Sequence, residues 1–270
     1  MLKDITLGQY FPGATVVHKL DPRVKLLLTL VYIVALFMAK SLLSYVLMFA
    51  ALVACVTLSK IKPAAALKGV RPIIIVILFT VVLNMFMSDG TPLVEFWGLT
   101  ITKQGLVSAF FTAVRLILLI VGTLMLTFTT SPMALTDGIE LMLNPLKKIK
   151  LPVHELAMMM SIALRFIPAL IEETDKIMSA QKARGASFDT GGLIKRAKAI
   201  LPLIIPLFIS AIRRSDELAT AMESRCYHGG EGRTRMKILK TAGRDKLALL
   251  YAAAVLAGVI LLNRFIPIWT

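Results

Sequence analysis

Long, mostly uncharged apolar segments alternate with short polar ones along this chain. They cover residues 24–39, 42–58, 73–87 and 105–130, and a fifth covers residues 247–263. A helix needs roughly 20 apolar residues to cross a hydrocarbon core of about 30 Å, and tilt or local thinning accommodates other lengths. The pattern therefore predicts an all-α integral membrane protein with about five transmembrane helices.

Between the fourth and fifth segments, apolar residues recur at helical spacing instead. Two long patterns of this kind cover residues 151–185 and 191–227, and a shorter one covers residues 132–144. A hydropathy average alone would mark residues 156–171 and 200–212 as further spans, but prolines and charges lie within or beside both. Amphipathic helices, lying on the bilayer surface or packed against each other, fit these patterns better.

These patterns divide the chain into three parts. Residues 1–130 are predicted to form an N-terminal membrane bundle, and residues 131–246 a cytoplasmic module of amphipathic helices. Residues 247–270 are predicted to form the final transmembrane helix and the C-terminus.

The composition is basic as well as apolar. Hydrophobic residues make up 57% of the chain, and 31 Lys and Arg against 16 Asp and Glu give a net charge of +15. In a soluble protein this charge would suggest nucleic acid. Here the cations fall between apolar segments, as in membrane proteins, so no nucleic-acid partner is predicted.

The distribution of these cations predicts the orientation in the membrane. The residues through Lys25 contain four Lys and Arg, and a predicted basic loop at residues 60–71 contains another four. The two opposite loops contain one each, Lys40 and Lys103. Because cytoplasmic loops carry the excess of Lys and Arg, the N-terminus and residues 131–246 are predicted to be cytoplasmic.

The first and fourth spans carry polar features of their own. Asp21 can accept hydrogen bonds from free backbone amides as an N-cap, and Pro22 suits the first helical position. Arg115 falls inside the fourth span, where a charge is costly and suggests a function. It can equally be a structural residue paired with a carbonyl or a polar neighbour such as Asn84, and the sequence leaves both open.

No catalytic, cofactor or metal motif is present in the sequence. No Gly-Lys pair occurs, so a P-loop is absent, and His154-Glu155 lacks the second histidine of an HExxH site. Cys55 and Cys226 form no CxxC pair. Three acidic residues are predicted to form the solvated face of a helix: Glu172, Glu173 and Asp175. Because the P-loop is absent, another chain must bind the nucleotide if this protein uses nucleotide energy.

The two long amphipathic patterns end alike, in the frame Ala-x-x-small-Arg-small. The arginines are Arg184 and Arg225, 41 residues apart (184 to 225). Ordinary capping can explain one such ending, since the helix dipole favours arginine in the last turn and glycine just beyond can cap the helix. The repetition, and the lack of glycine in the second ending, favour a docking role, because small neighbours let a partner approach the guanidinium closely. The predicted docking residues are Ala183, Arg184, Gly185, Ser224, Arg225 and Cys226.

Three stretches resemble the transmembrane T component of energy-coupling factor (ECF) transporters. They are Ala-Gln-Lys-Ala-Arg-Gly at 180–185, His-Lys-Leu-Asp-Pro-Arg-Val-Lys at 18–25 and Ala-Leu-Arg-Phe-Ile-Pro at 163–168. The resemblance implies a vitamin or micronutrient uptake system in a prokaryotic cell membrane. In that family the T component joins a substrate-binding S component to a pair of ABC ATPases.

The resemblance also implies the roles of the two endings. Arg184 would contact one ATPase and Arg225 the other, and closure of the ATPases would move these coupling helices and reorient the S component. The second ending departs from the family pattern, with Ser224 and Cys226 in place of alanine and glycine.

Other functional classes remain as alternatives. The chain can be a secondary carrier or a conventional ABC permease, a membrane-embedded enzyme, or a membrane anchor without a transport role. Carriers often hold intramembrane carboxylates, and none of the five predicted spans contains Asp or Glu.

Overall fold

The computed structural model describes residues 10–87, 91–96, 99–186, 188, 192–230 and 239–265. These residues divide into two compact units. The bundle unit contains the described residues up to 138 and from 239 onwards, and the arm unit contains those from 139 to 230.

Helices dominate both units. The elements are, in chain order, α1 (Pro22–Met38), α2 (Leu42–Ser59), α3 (Pro63–Val70), a 3₁₀ turn (Arg71–Ile73), α4 (Ile74–Met87), β1 (Pro92–Phe96), β2 (Leu99–Thr102), α5 (Lys103–Thr129), α6 (Pro132–Leu143), a second 3₁₀ turn (Asn144–Ile149), α7 (Val153–Ala183), α8 (Leu193–Glu223) and α9 (Gly243–Phe265). The predicted all-α class is confirmed, with one short β-hairpin added.

The beginning of α1 follows from its local sequence. The side chain of Asp21 accepts a hydrogen bond from the amide of Arg23 at 2.9 Å, and Pro22 occupies the first turn. Because proline has no N–H to satisfy and its φ is already close to helical, it stabilises this position. The predicted N-cap is confirmed.

The predicted basic loop at residues 60–71 is wrong, because most of it is helical. The chain enters α3 at Pro63, and the 3₁₀ turn that contains Pro72 joins α3 to α4. Each proline lies in the first turn of its segment, where the missing N–H breaks no helical hydrogen bond. The third apolar segment, residues 73–87, thus continues the helical stretch Pro63–Phe86, whose 24 residues are enough to cross a membrane.

The segment between α4 and α5, expected to be a loop, contains the β-hairpin. Antiparallel pairing joins Val94 to Ile101 and Phe96 to Leu99. β-branched and aromatic residues favour extended backbone, which explains why this stretch pairs.

The helices of the bundle unit alternate in direction. At one end, a carboxylate oxygen of Asp245 in α9 accepts from the amide of Asp21 at 2.9 Å. At the other end, the side-chain amide of Asn263 donates to the carbonyl of Met38 at 2.6 Å, so α1 and α9 are parallel. The ammonium of Lys25 donates to the carbonyl of Thr129 at 2.8 Å, which makes α5 antiparallel to α1.

Cations concentrate at one end of this bundle, which we call the basic end. It is the end at which α1 and α9 begin and at which α2 and α5 finish. Its cations are Lys19, Arg23, Lys25, Lys60, Lys62, Lys68, Arg71, Lys240, Arg244 and Lys246. The opposite end holds Lys40, Lys103 and Arg264.

A buried core joins α1, α2, α5 and α9, while the outside of the bundle is apolar. Leu36, Met48 and Phe128 are at most 1% exposed. In α4, by contrast, Ile75 is 75% and Phe79 is 62% exposed. Large exposed apolar surfaces indicate contact with lipid or with another protein.

Within the part of the chain that the structure describes, five helical stretches are long and apolar enough to cross a membrane, which agrees with the predicted number. The set differs in part, since it includes Val153–Ala183, whose mean hydropathy of 1.4 is below the 2.0 to 2.3 of the others. It omits α1, which has 17 residues. Length and composition do not decide which helices cross, so placing α7 in the cytoplasm stays a prediction.

Candidate functional site

The two arms, α7 and α8, are helices of 31 residues each that contact one another in the arm unit. One carboxylate oxygen of Glu173 accepts from the hydroxyl of Ser210 at 2.5 Å, and the other accepts from the guanidinium of Arg214 at 2.9 Å. We call these three residues the clamp. Glu173 was predicted to be solvated, and this is wrong, because packing of α8 against α7 covers it partly and supplies its partners.

A second contact shows the relative direction of the arms. The side-chain amide of Gln181 donates to the carbonyl of Pro202 at 3.5 Å. From Glu173 to Gln181 the numbering rises in α7, whereas from Arg214 to Pro202 it falls in α8. The arms therefore run locally antiparallel.

Prolines within the arms leave backbone carbonyls free without ending either helix. Pro168 lies inside α7, and Pro202 and Pro206 lie inside α8. Because Pro206 has no N–H, the carbonyl of Pro202 lacks its usual helical donor four residues on. Gln181 supplies a donor in its place, so the proline creates part of the contact between the arms.

The clamp lies midway between the two arginine endings when measured along the helices. Eleven residues separate Glu173 from Arg184, and eleven separate Arg214 from Arg225. At 1.5 Å per residue, each arginine is about 16 Å beyond the clamp. Because the arms are antiparallel, the endings lie on opposite sides of the clamp, up to roughly 32 Å apart along the axes.

The first ending closes with a Schellman motif. Gly185 has φ +89°, and its amide donates to the carbonyl of Lys182 at 3.0 Å. The amide of Ala186 donates to the carbonyl of Gln181 at 3.0 Å. These two bonds satisfy carbonyls that the end of α7 would otherwise leave free.

The second ending has the same backbone without glycine. Cys226 has φ +57°, and its amide donates to the carbonyl of Glu223 at 2.9 Å. The amide of Tyr227 donates to the carbonyl of Met222 at 3.0 Å. The lack of glycine therefore does not distinguish this ending from a capped one, so that part of the sequence argument for docking is wrong. A left-handed conformation costs a residue with a Cβ about 1 kcal/mol.

All six predicted docking residues are exposed. Among the described residues, the ion pairs are Arg23–Asp21, His154–Glu140 and Arg214–Glu173, and none involves Arg184 or Arg225. Both arginines are thus exposed to solvent on capped helix ends. A partner carboxylate can bind such a guanidinium group in a bidentate manner.

Arg115 has neighbours that satisfy it. Its guanidinium donates to the hydroxyl of Tyr45 at 2.5 and 2.9 Å and to the carbonyl of Ala39 at 3.4 Å. It also lies 5.7 Å from the centroid of the Tyr45 ring. These contacts support the structural alternative, with Tyr45 as the polar neighbour, and a functional role for Arg115 stays a prediction.

The 18–25 stretch lies at the basic end, where it contacts Asp245, a residue just before the fifth predicted span. Asp245 is 3% exposed and accepts from the amides of Asp21 and Ala242. Two guanidinium nitrogens of Arg23 donate to Asp21, and one of them also donates to the carbonyl of Leu239. Within the described residues, no group of three or more His, Cys, Asp or Glu side chains is placed to hold a metal ion.

Comparison with known proteins connects these features to a family. The sequence matches the CbiQ family, described as cobalt transport protein, over residues 13–237. It is 53% identical over 266 residues to the energy-coupling factor transporter transmembrane protein EcfT of Clostridium kluyveri, with 98% of each chain covered. The EcfT proteins of Thermosediminibacter oceani and Bacillus subtilis are 51% and 45% identical, each over 98% of this chain and 100% of the relative. The chain belongs to the family of energy-coupling factor transporter transmembrane proteins, and it is the T component of an ECF transporter.

Proposed function

We propose that Arg184 and Arg225 are the points at which two ABC ATPase subunits dock onto this T component. The observation that supports this most directly is the matched pair of endings. Each presents one exposed arginine, without an ion pair among the described residues, on a Schellman-capped helix end. Two equivalent docking points suit a pair of similar partners.

The arms would carry the movement of the ATPases to the membrane. Each ending lies about 16 Å from the clamp along its helix. A displacement of either ending would therefore reach the same contact over a similar length of helix. ATP binding and hydrolysis then occur in the partner subunits, and this chain contributes no catalytic group. The movement would reorient an S component that binds a vitamin or another micronutrient.

This mechanism requires the endings to face the cytoplasm of a prokaryotic cell. The excess of Lys and Arg at the basic end supports a cytoplasmic location for that end in the cell membrane. The exposed apolar face of α4 is a surface for lipid or for the S component.

Charge reversal at the endings tests the docking. In a complex purified through this chain, Arg184→Glu combined with Arg225→Glu should reduce recovery of the ATPases by at least about tenfold, because each substitution replaces an interface cation with a repelling charge. Membrane insertion should not change. The amounts of T component and ATPase in the purified complex are measured by quantitative mass spectrometry.

Lys176→Glu combined with Arg213→Glu is the matched control. Both residues are exposed cations on the same two arms, and neither belongs to an ending. The control should retain the ATPases. Full ATPase recovery in the variant with both arginine charges reversed would refute docking at these arginines. Equal loss of the ATPases in the control would refute it as well.

A further inference from the structure

The bundle unit contains a cavity of about 400 Å³ that the transport mechanism does not use. Residues of α1, α2, α5 and α9 line it, and almost all of them are apolar, such as Leu28, Leu52, Met125 and Val255. Leu58 and Leu247 also line it and are 61% and 68% exposed, so the cavity opens to the apolar outside of the bundle.

Among the described residues that line this cavity, the charged groups are two cations, Lys25 and Arg244. Lys25 is 5% exposed, and its ammonium donates to the carbonyls of His18 at 3.2 Å and Thr129 at 2.8 Å. Arg244 is exposed at the start of α9. Among the described residues, neither cation forms an ion pair. The nearby carboxylate of Asp245 is occupied by the backbone amides of Asp21 and Ala242.

The placement of these cations relative to the apolar walls defines the shape of a ligand. Both lie at the basic end, in the first turns of the parallel helices α1 and α9. From Lys25 the lining continues along α1 to Ala35, and from Arg244 it continues along α9 to Val255. Ten or eleven helical residues rise about 15 Å, which is half of a hydrocarbon core of about 30 Å.

We propose that this cavity binds one anionic phospholipid from the leaflet at the basic end. One acyl chain fills the apolar cavity along α1 and α9, and the phosphate is held between the Lys25 ammonium and the Arg244 guanidinium. The Asp245 carboxylate is the nearby counter-charge for two cations, so the lining keeps an excess of positive charge that a phosphate entering from the lipid side compensates. The lipid thereby joins α2 to the α1–α9 pair at the end of the bundle that carries the cations.

Native mass spectrometry of the full-length chain in detergent tests this proposal. The chain is incubated with equal amounts of a phosphatidylglycerol and a phosphatidylcholine that carry identical acyl chains. We expect about tenfold more bound phosphatidylglycerol than phosphatidylcholine. In phosphatidylcholine the choline charge compensates the charge of the phosphate. Without choline, a charge-assisted contact to the phosphate raises the affinity by about one order of magnitude. Excess inorganic phosphate should not displace the lipid, because it lacks the acyl chain.

Two pairs of variants separate the cavity from the surface around it. Ala252→Phe places a ring in the cavity and should abolish lipid retention, whereas Ala253→Phe, on the next residue of α9 and outside the lining, should not. Arg244→Gln should remove most of the preference for phosphatidylglycerol. Lys246→Gln, which neutralises an exposed cation in the same turn without touching the cavity, should preserve it.

Three outcomes would overturn the proposal. Equal binding of both lipids by the unmodified chain would remove the role of the cations. Unchanged retention in Ala252→Phe would place the lipid elsewhere. Displacement by inorganic phosphate alone would indicate a small-anion site instead. None of these results depends on whether the ATPases dock at the arm endings.

Discussion

At the scale of single residues, the two arginine endings show how one backbone motif is built from different side chains. Gly185 adopts its left-handed conformation without a Cβ, and Cys226 adopts a similar one with it. A Cβ added at Gly185 would meet no atom within 4 Å. The difference between the endings is therefore conformational energy and not crowding.

Cys226→Gly should stabilise the second ending by about 1 kcal/mol, because it removes the cost of a left-handed residue with a side chain. Hydrogen exchange at the amides of residues 226 and 227 should slow about fivefold. Cys226→Ala is the control, since it removes the thiol and keeps the Cβ, and its exchange should not change. Equal protection in the two variants would show that the thiol, and not the backbone, determines the stability of this ending.

At the scale of elements, the clamp explains how two long helices with exposed apolar faces keep a defined contact. Glu173 and Arg214 are 41 residues apart (173 to 214), the same offset as the two arginines of the endings. In the sequence, only the two endings reveal this offset. The pairing of Glu173 with Arg214 depends on the packing of α8 against α7 at this point.

A double-mutant cycle measures the clamp. Glu173→Ala and Arg214→Ala should show a coupling of about 0.5 kcal/mol in the free energy of unfolding, a modest value because the pair is partly solvated. The matched cycle uses Glu172 and Arg213, which are adjacent to the clamp and exposed. Its coupling should be close to zero, and equal coupling in both cycles would show that the Glu173–Arg214 contact adds nothing to stability.

At the scale of the whole molecule, the bundle unit has one basic end and one end with few cations. This asymmetry arises because α1 and α9 begin, and α2 and α5 finish, at the same end. Segments distant in sequence thus bring their cations together, and the final helix joins the first rather than standing apart.

Labelling of introduced cysteines checks the orientation that this asymmetry implies. In a chain with Cys55→Ser and Cys226→Ser, Lys40→Cys and Arg264→Cys should react with a membrane-impermeant thiol reagent on intact cells. Lys19→Cys and Lys240→Cys, at the basic end, should react only after the membrane is opened. Labelling of the basic-end cysteines on intact cells would reverse the proposed topology.

Local sequence determined much of this protein. Apolar segment length determined the membrane class, Asp21 and Pro22 determined the start of α1, and the repeated Arg frame identified both endings. These features depend on neighbours within a few residues, whose effects on helix formation and capping need no distant partner. The helical path from Pro63 through Pro72 was missed because a proline suits the first turn of a helix as well as a loop.

Tertiary structure alone decided the features that depend on distant partners. Sequence periodicity shows that a residue faces a neighbouring helix but not which helix, so the partners of Glu173, Arg115 and Asp245 could not be assigned. The apolar cavity with its two cations depends on four helices at once. Each helix contributes residues that look like ordinary membrane-facing or core positions, and only their packing leaves an apolar space with two cations at its end.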